Sequence, residues 1–360
     1  MQHGTIDCHN HLRDPGDLAR LSEVGRRVPL EAVTVLPIPG TRLDNGLPIA
    51  LWAKRKRPDF VYAFGAWDHG AAEVLAGNPK ALGDQVVEQA ALGVDGWKII
   101  ESKPDRRRAL GEALDGPYFE AGFAALEALD LPVLWHVADP DTFWNPATTP
   151  AWALANNWGY GPGFPSWASL FDEVANVLAR HPRLRVVFAH FFFLSADLDR
   201  AAQFLAAHPR VGFDLAPGIE FLYNLSQDRD RAREFFIQHA DRIHFGTDAG
   251  LVADATAPMV EARVRLVLRF LSTAETFRVP PEADFVLGPP EDGIVHGLDL
   301  PDPVLERILG GNQRERVGSR PKPLDRSAAA ARSRRIAENL RRNGAAASTV
   351  EAIEALVSAF

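Results

Sequence analysis

The sequence predicts an α/β protein with a (β/α)8 barrel, that is, a TIM barrel. Three observations predict it. Eight short apolar, β-branched segments recur along the chain, helical patterns separate most of them, and the series occupies about 250 residues, a typical size for this fold. Near-continuous apolar strands that alternate with helices are typical of parallel βαβ units. A doubly wound sheet is the main alternative, but no early strand is followed by Gly-x-Gly-x-x-Gly.

The predicted strands each end in polar, Gly or Pro residues. In chain order they are Thr5–His11, Ala32–Leu36, Phe60–Trp67, Gly96–Ile100, Pro132–Val137, Arg185–His190, Arg210–Leu215 and Arg242–Thr247. The clearest helical patterns are Asp84–Leu92, Tyr118–Leu129, Ser169–Arg180, Ala196–Ala207 and Arg229–Ala240, and a further helix, Met259–Ala274, is expected after the last strand. Each strand from the third onward is therefore followed by a helix, as a βα repeat requires.

Two segments depart from this repeat. After the fifth strand, between Val137 and Pro182, lies a long insertion rich in Pro, Gly and Asn, and a long βα loop in a compact domain is usually functional. It holds four of the eight tryptophans, which are Trp144, Trp152, Trp158 and Trp167. From Ser319 the chain is rich in Arg and Ala and predicts two appended surface helices. We therefore expect a barrel domain of residues 1–318 and a C-terminal helical extension of residues 319–360.

Composition excludes several classes of protein. Hydrophobic residues make up 46% and charged residues 24%, as in ordinary soluble globular proteins, and the formal net charge of −8 argues against a nucleic-acid binder. The chain has no apolar stretch of about 18 residues for a membrane span and no signal-peptide pattern. Its single cysteine fits a reducing compartment. We expect a cytoplasmic protein that binds a small-molecule substrate and, since such barrels commonly pair, a homo-oligomer.

The pentapeptide Asp7-Cys8-His9-Asn10-His11 lies in the first predicted strand. Side chains two residues apart in a strand point to the same side, so His9 and His11 face one way together with Asp7. Two imidazoles on one face can coordinate the same transition-metal ion, such as Zn²⁺. Alone this pattern is weak, because two histidines can alternate by chance, and the rest of the chain must support it.

Further reactive side chains lie at or near the ends of predicted strands. Lys98 is in strand four, His136 in strand five and His190 in strand six, while Asp248 follows strand eight. Each has a structural explanation: the histidines as hydrogen-bonded core residues, Lys98 as a salt-bridged lysine and Asp248 as a helix cap. However, the C-terminal strand ends of a barrel converge on one rim, where its active sites are found. Nitrogen and oxygen ligands around an open position suit a catalytic divalent metal.

The sequence resembles the amidohydrolase superfamily and, within it, the amidohydrolase-2 branch of metal-dependent hydrolases and non-oxidative decarboxylases. Five segments carry the resemblance in order, over roughly residues 4–317; they are IDCHNHL, PVLWHVAD, HPRLRVVFAH, HADRIHFGTDAG and ERILGGNQRERV. The resemblance implies a site for one or two metal ions. Its ligands or near-ligands would be His9, His11, His136 and Asp248.

The resemblance also implies roles for two further residues. His190 would be a ligand of a second metal or a residue that polarises the substrate. In binuclear members a carboxylated lysine on strand four bridges the metals, and Lys98 is the matching residue. The amidohydrolase-2 branch more often holds one metal, so the ion count stays open.

The chemistry that we expect is hydrolysis. Zn²⁺ is the expected metal, with Mn²⁺, Fe²⁺ or Co²⁺ as alternatives, because His and Asp ligands suit all of them. Zinc lowers the pKa of bound water to about 7. Asp248 could accept the proton of that water, and His190 could polarise a carbonyl. We therefore expect a metal-dependent, amidohydrolase-type hydrolase that cleaves an amide, lactone or ester bond, with Asp248 and His190 as catalytic residues.

Two other functions stay open. One is a metal-dependent decarboxylase or hydratase of an aromatic or unsaturated carboxylic acid, which needs a cation for the substrate carboxylate; Arg13 is the first candidate and Lys98 the second. For either reaction, Trp144 and Trp158 could supply apolar walls to a planar or sugar-like substrate, or simply pin the long loop to the barrel. The other function is a non-catalytic binding protein, which is disfavoured because no expected ligand position has been lost.

Overall fold

Eight parallel strands form a barrel in the computed structural model, which describes residues 4–38, 42–218, 220–250, 255–283 and 294–360. The strands pair in sequential order and are Thr5–Asn10 (β1), Leu30–Val35 (β2), Val61–Gly65 (β3), Gly96–Ser102 (β4), Val133–Val137 (β5), Val186–Phe188 (β6), Val211–Asp214 (β7) and Ile243–His244 (β8). Backbone hydrogen bonds from Cys8 N to Phe245 O (2.9 Å) and from Asp248 N to His9 O (2.8 Å) join the last strand to the first. The predicted TIM barrel is confirmed.

The strands are buried because the barrel interior covers one face and the helices cover the other. Every residue of β1, β4 and β5 is buried, and in β2 only Glu31 is exposed. This two-sided burial explains why the strands read as nearly continuous apolar runs in the sequence. A two-stranded antiparallel ribbon lies outside the barrel, formed by Thr276–Arg278 (β9) and Ile294–His296 (β10).

Helices alternate with the barrel strands. Up to β8 they are Pro15–Val24 (α1), Leu47–Lys56 (α2), Ala72–Leu75 (α3), Ala81–Leu92 (α4), Pro104–Leu110 (α5), Pro117–Ala128 (α6), Ala151–Ala155 (α7), Trp167–Arg180 (α8), Leu198–Ala207 (α9), Phe221–Gln227 (α10) and Arg229–Gln238 (α11). After β8 come Ala257–Ser272 (α12), Asp302–Glu306 (α13), Asn312–Val317 (α14), Arg326–Arg342 (α15) and Ala347–Ser358 (α16). None of the helices in the described ranges has the length and apolar character needed to cross a membrane.

The long segment between β5 and α8, residues 138–166, is called here the aromatic loop. It contains a 3-10 turn, Asp141–Trp144, and the short helix α7. Phe143 and Tyr160 form the centre of a hydrophobic cluster of its own, packed by Trp144, Trp152, Trp158 and Phe164. The loop is thus held by side chains of its own as well as by contacts with the barrel.

The two C-terminal helices pack against each other and against α2. Ile336 and Leu340 of α15 are buried, and so is Ile353 of α16. Asn339 Nδ2 donates a 2.8 Å hydrogen bond to Asp68 Oδ2, which ties α15 to the loop after β3. The predicted helical extension is therefore present, while the domain boundary at residue 318 stays a prediction.

Candidate metal centre

Three histidines and one aspartate meet at the C-terminal end of the barrel. His9 and His11 come from the end of β1, His190 follows β6 and Asp248 follows β8; all four are buried. The Nε2 atoms of His9 and His11 are 3.2 Å apart, and His11 Nε2 is 3.5 Å from Asp248 Oδ1. One ligand atom each of His9, His190 and Asp248 lie within 4.8 Å of one another. Residues far apart in sequence thus surround one small volume.

Hydrogen bonds at Nδ1 fix how these imidazoles point. His9 Nδ1 lies 2.7 Å from Asp214 Oδ2, and His11 Nδ1 lies 2.8 Å from Leu36 O. His190 Nδ1 lies 3.1 Å from Ala216 O. Carbonyl oxygens and ionised carboxylates only accept hydrogen bonds, so each Nδ1 carries the proton and donates it. Each neutral ring therefore keeps the lone pair of Nε2 for a ligand at the centre.

This arrangement fits a divalent cation. Two Nε2 lone pairs at 3.2 Å repel each other unless a cation or a proton lies between them. Asp248 Oδ1 is buried and accepts no hydrogen bond from the described residues. Burial lowers the pKa of His9, His11 and His190 well below the ordinary value, which keeps the imidazoles in the neutral form that binds metal. Burial also raises the pKa of Asp248 to about 7, and a bound cation would favour its ionised form.

An unusual backbone conformation orients the side chains of His190 and Asp248. Four successive residues from His190 to Phe193 have φ between 51° and 56°, and Asp248 has φ 52°. Left-handed conformations cost about 1–2 kcal/mol for each non-glycine residue. Phe191 and Phe192 are buried in the core, and the His190 amide donates a 2.8 Å hydrogen bond to Asp214 Oδ1. Packing and this hydrogen bond hold the left-handed turn that presents His190 to the centre.

The structure places His136 and Lys98 beside this group but in other contacts. His136 Nε2 lies 3.0 Å from Ala138 O and 3.5 Å from Asp139 Oδ1, so the ring bonds to its own loop. Lys98 Nζ is buried without a hydrogen-bond partner among the described residues. Burial lowers the pKa of Lys98 to about 8, although the charges of Asp214 and Asp248 oppose the shift. The ligand roles of both residues stay predictions.

A cavity of about 210 Å³ opens above the centre. Arg13 and Trp158, both predicted to bind substrate, line it. Trp144 is not among the described residues that line it; its indole donates a 2.9 Å hydrogen bond to Pro165 O, and its ring packs 4.7 Å from that of Tyr160. The other lining residues are His11, Ile38, Ile100, Lys103, Asp105, Arg106, His136, Asp139, His190, Phe193, Pro217, Gly218 and Asp248.

Asp139 anchors the aromatic loop at the edge of this cavity. Its carboxylate accepts hydrogen bonds from Lys103 Nζ and from the Tyr160 hydroxyl. Burial opposes ionisation of Asp139, but Lys103 and His136 outweigh that effect and hold the pKa of this carboxyl well below its usual range. The Lys103 ammonium lies 4.8 Å from the ring of Trp158. Lys103 therefore connects the carboxylate at the rim with the indole that faces the cavity.

Comparison with known proteins places these residues in a family. An amidohydrolase family model, Amidohydro_2, matches residues 6–315. The chain belongs to the amidohydrolase-2 family. This family of enzymes is metal-dependent, in keeping with the donor set of the centre. Comparison with curated proteins finds no match.

Solved structures of the same fold include two decarboxylases. The 2,6-dihydroxybenzoate decarboxylase from Rhizobium is 14% identical over 88% of this chain and 98% of that chain, with a TM-score of 0.54. The 5-carboxyvanillate decarboxylase from Novosphingobium aromaticivorans, complexed with manganese, is 14% identical over 88% and 96%, with a TM-score of 0.51. An amidohydrolase from Burkholderia multivorans is 16% identical over 88% and 99%, with a TM-score of 0.52. At these identities the likeness shows the shared barrel fold.

Asp214 belongs to this centre, although no sequence motif indicated it. It ends β7, and its Oδ2 accepts from His9 Nδ1. Its Oδ1 accepts from the amides of His190 (2.8 Å) and Ala216 (3.1 Å). One carboxylate thus orients two histidines of the centre. The available signal was its position at the end of a predicted strand, Arg210–Leu215, at the same rim as the others.

We expect Asp214→Asn to lower the affinity for Zn²⁺ or Mn²⁺ about 10–100-fold, because a carboxylate that holds a ligating imidazole raises its basicity and fixes its orientation. Titration of metal-free protein with each cation measures the effect. Asp199→Asn is the control, since that side chain is 79% exposed and pairs with Arg231. Equal affinities for the two variants would show that Asp214 does not act through the imidazoles.

Proposed function

We propose that this amidohydrolase-2 family member is a divalent-metal-dependent decarboxylase of a small aromatic carboxylic acid. The observation that carries the proposal is the buried His/Asp centre at the base of a cavity that has apolar walls and several cationic residues. Size, charge and the position of one carboxyl group each support it.

The size and walls of the cavity suit a single ring. A cavity of about 150 Å³ lined by apolar side chains holds benzene. The cavity here measures about 210 Å³, which leaves room for substituents on such a ring. Ile38, Ile100, Trp158 and Phe193 supply apolar surface. A flat, one-ring compound is therefore the substrate shape that this cavity accommodates.

The charges that line the cavity suit an acid. Arg13, Lys103 and Arg106 all reach it, and guanidinium groups bind carboxylates by paired hydrogen bonds. Lys103 pairs with Asp139, and Arg106 lies 3.6 Å from Asp105. A guanidinium has five N–H donors and can therefore bind a second carboxylate, so Arg13 and Arg106 are the candidates for contact with the substrate carboxylate. Arg13 follows His11 by two residues, which keeps that charge close to the metal ligands.

The residues of the centre can perform the required proton transfer. A divalent metal held by Nε2 of His9, His11 and His190 and by Asp248 would supply Lewis-acid polarisation of a substrate oxygen. Burial raises the pKa of Asp248 to about 7, which opposes the effect of the cation and lets this carboxyl carry a proton. Asp248 can give that proton to the ring carbon as the bond from that carbon to the carboxylate breaks and CO₂ leaves. One proton enters the product for each CO₂ released, and solvent restores it to Asp248. The apolar walls exclude other water from the ring.

Hydrolysis of an ester, lactone or amide is the second candidate. The observation that favours it is the free acceptor capacity of Asp248 Oδ1, which is buried and accepts no hydrogen bond from the described residues. At 3.5 Å from His11 Nε2, this oxygen can take a proton from a water at the centre. The two reactions thus use one carboxyl group in opposite directions, as proton donor or as proton acceptor.

A substrate panel separates the two reactions. Protein loaded with Zn²⁺ or Mn²⁺ would be incubated with one-ring hydroxy acids and, separately, with lactones and aryl esters. We expect CO₂ release from at least one acid, measured as dissolved carbonate together with the loss of acid absorbance. Acid release from lactones or esters without CO₂ would reject the decarboxylase in favour of the hydrolase. Binding of these compounds with no product of either kind would contradict both.

Trp158 provides a test of the cavity wall. We expect Trp158→Ala to raise KM about tenfold with little change in kcat, because an aromatic contact contributes roughly 1.5 kcal/mol and the indole touches no reacting group. Steady-state kinetics on the best acid of the panel measure this. Trp152→Ala is the matched control, since Trp152 belongs to the same aromatic cluster but is not among the described cavity residues. A similar KM for both variants would indicate that Trp158 only packs the loop.

A further inference from the structure

A second cavity, of about 210 Å³, lies at the amino-terminal end of the barrel, opposite the metal centre. Five arginines line it, and we call them the arginine cluster; they are Arg185, Arg210, Arg242, Arg307 and Arg316. This concentration of positive charge contrasts with the net charge of −8 of the whole chain. The proposed catalytic function makes no use of it.

The barrel topology assembles the arginine cluster. Arg185, Arg210 and Arg242 each immediately precede a strand, namely β6, β7 and β8. These strands are parallel neighbours, and the amide of Val186 donates to Arg210 O, so the three arginines stand side by side. Arg307 and Arg316 approach from the segment after β10, in a π-helical turn and in α14.

The nearby carboxylates do not neutralise the cluster. Asp130 pairs with Arg185 at 3.2 Å and also with Arg210, and Glu315 pairs with Arg307 at 2.9 Å. Asp241 is the third carboxylate at this site. Among the described residues, five guanidinium groups thus face three carboxylates, which leaves an excess of positive charge.

Arg242 and Arg316 carry this excess. Arg242 donates to the carbonyl oxygens of Val211 and His208, and Arg316 Nε donates to His244 Nε2 at 3.1 Å. Neither forms an ion pair with a carboxylate in the part of the chain that the structure describes. Burial, and then the charges of Arg185 and Arg242, lower the pKa of Arg316 to about 9. An anion in the cavity would relieve this repulsion.

We propose that the arginine cluster binds the phosphate group of a small molecule. Planar guanidinium groups donate paired hydrogen bonds to phosphate oxygens, and several of them around one concave site make a phosphate site rather than a general negative-ion surface. Free phosphate and a phosphate monoester share this chemistry. The inference does not depend on the reaction at the other end of the barrel.

Calorimetric titration tests the proposal. Metal-loaded protein would be titrated with inorganic phosphate and with ribose 5-phosphate, at an ionic strength held constant with chloride. The test variant is Arg210→Gln combined with Arg307→Gln. The carboxylate partners of these arginines, Asp130 and Glu315, are 55% and 67% exposed, so water can solvate them when the arginines are replaced. Arg183→Gln is the matched control, a 71% exposed arginine outside the cluster.

We expect saturable binding to the wild-type protein and to Arg183→Gln, and binding at least about tenfold weaker to the double variant, since each charge-assisted contact contributes about that much. Tighter binding of phosphate would identify the free ion as the ligand, and tighter binding of ribose 5-phosphate would identify a phosphorylated metabolite. Absence of saturable binding to wild-type protein would overturn the proposal. Equal binding to the double variant, as expected if phosphate only contacts the metal, would overturn it too.

Discussion

Asp248→Asn should lower kcat by about 10²–10⁴-fold, the usual contribution of a positioned proton donor or acceptor. The asparagine keeps the shape of the side chain, but it has no carboxyl proton to give and no anionic oxygen to accept one. Oδ1 of Asp248 lies 3.8 Å from His9 Nε2 and 3.5 Å from His11 Nε2, within the group of candidate metal ligands. The variant should therefore also bind metal more weakly.

Kinetics at saturating metal separate these two effects. If kcat stays low when elemental analysis shows full metal occupancy, the loss lies in proton transfer. Asp105→Asn is the matched control, because Asp105 lines the same cavity but pairs with Arg106, at 3.6 Å, and with none of the described histidines. A kcat for Asp248→Asn close to that of Asp105→Asn would refute the assignment of Asp248 as a catalytic residue.

Removal of the metal should abolish turnover and lower the melting temperature. Without a cation, the Nε2 lone pairs of His9 and His11 face each other at 3.2 Å, and Asp248 Oδ1 has no partner among the described residues. A ligand that binds only the folded state at 100 times its Kd stabilises that state by about 2.7 kcal/mol. For a domain of this size that amounts to a rise of several degrees in Tm.

The measurement is turnover and thermal unfolding after treatment with a chelator, followed by addition of Zn²⁺, Mn²⁺, Fe²⁺ or Co²⁺. Chelator saturated with Zn²⁺ beforehand serves as the control for its other effects on the protein. Recovery with one cation identifies the metal that supports the reaction. Unchanged turnover in protein shown by elemental analysis to be metal-free would contradict a metal-dependent mechanism.

The barrel could be predicted because two-sided burial leaves a direct mark on the sequence. Runs such as Phe60–Trp67 contain the observed strands, since a strand buried on both faces must be apolar throughout. Strand ends could not be predicted as well. The run Arg242–Thr247 pairs in the ladder only at Ile243–His244, because the residues beyond them turn to bond with β1 and the segment near Ile308. Such contacts depend on elements distant in sequence.

The sequence could predict which residues of the site lie close together, but it could not predict how their side chains are oriented. Convergence of strand ends predicts that His9, His190 and Asp248 meet, and the structure places them together. The orientation of an imidazole ring depends on its hydrogen-bond partner. The ring of His9 is oriented by its hydrogen bond with Asp214, a residue 205 positions away in the sequence. Likewise, the turn at Ala138, with φ 61°, brings a carbonyl to His136 Nε2. Neither interaction leaves a pattern in the amino-acid sequence.

The left-handed turn from His190 to Phe193 couples the rim to the outer layer of the barrel. The ring of Phe191 lies 5.2 Å from that of Phe213 and 5.9 Å from that of Phe236, and Phe191 is not among the described residues that line the cavity. The packing of these rings offsets the unfavourable backbone conformation of the turn. The orientation of the His190 imidazole therefore depends on apolar side chains outside the cavity. A mutational screen confined to the residues that line the cavity would miss this contribution. A substitution among the phenylalanines that pack around Phe191 can lower activity although every cavity residue is unchanged.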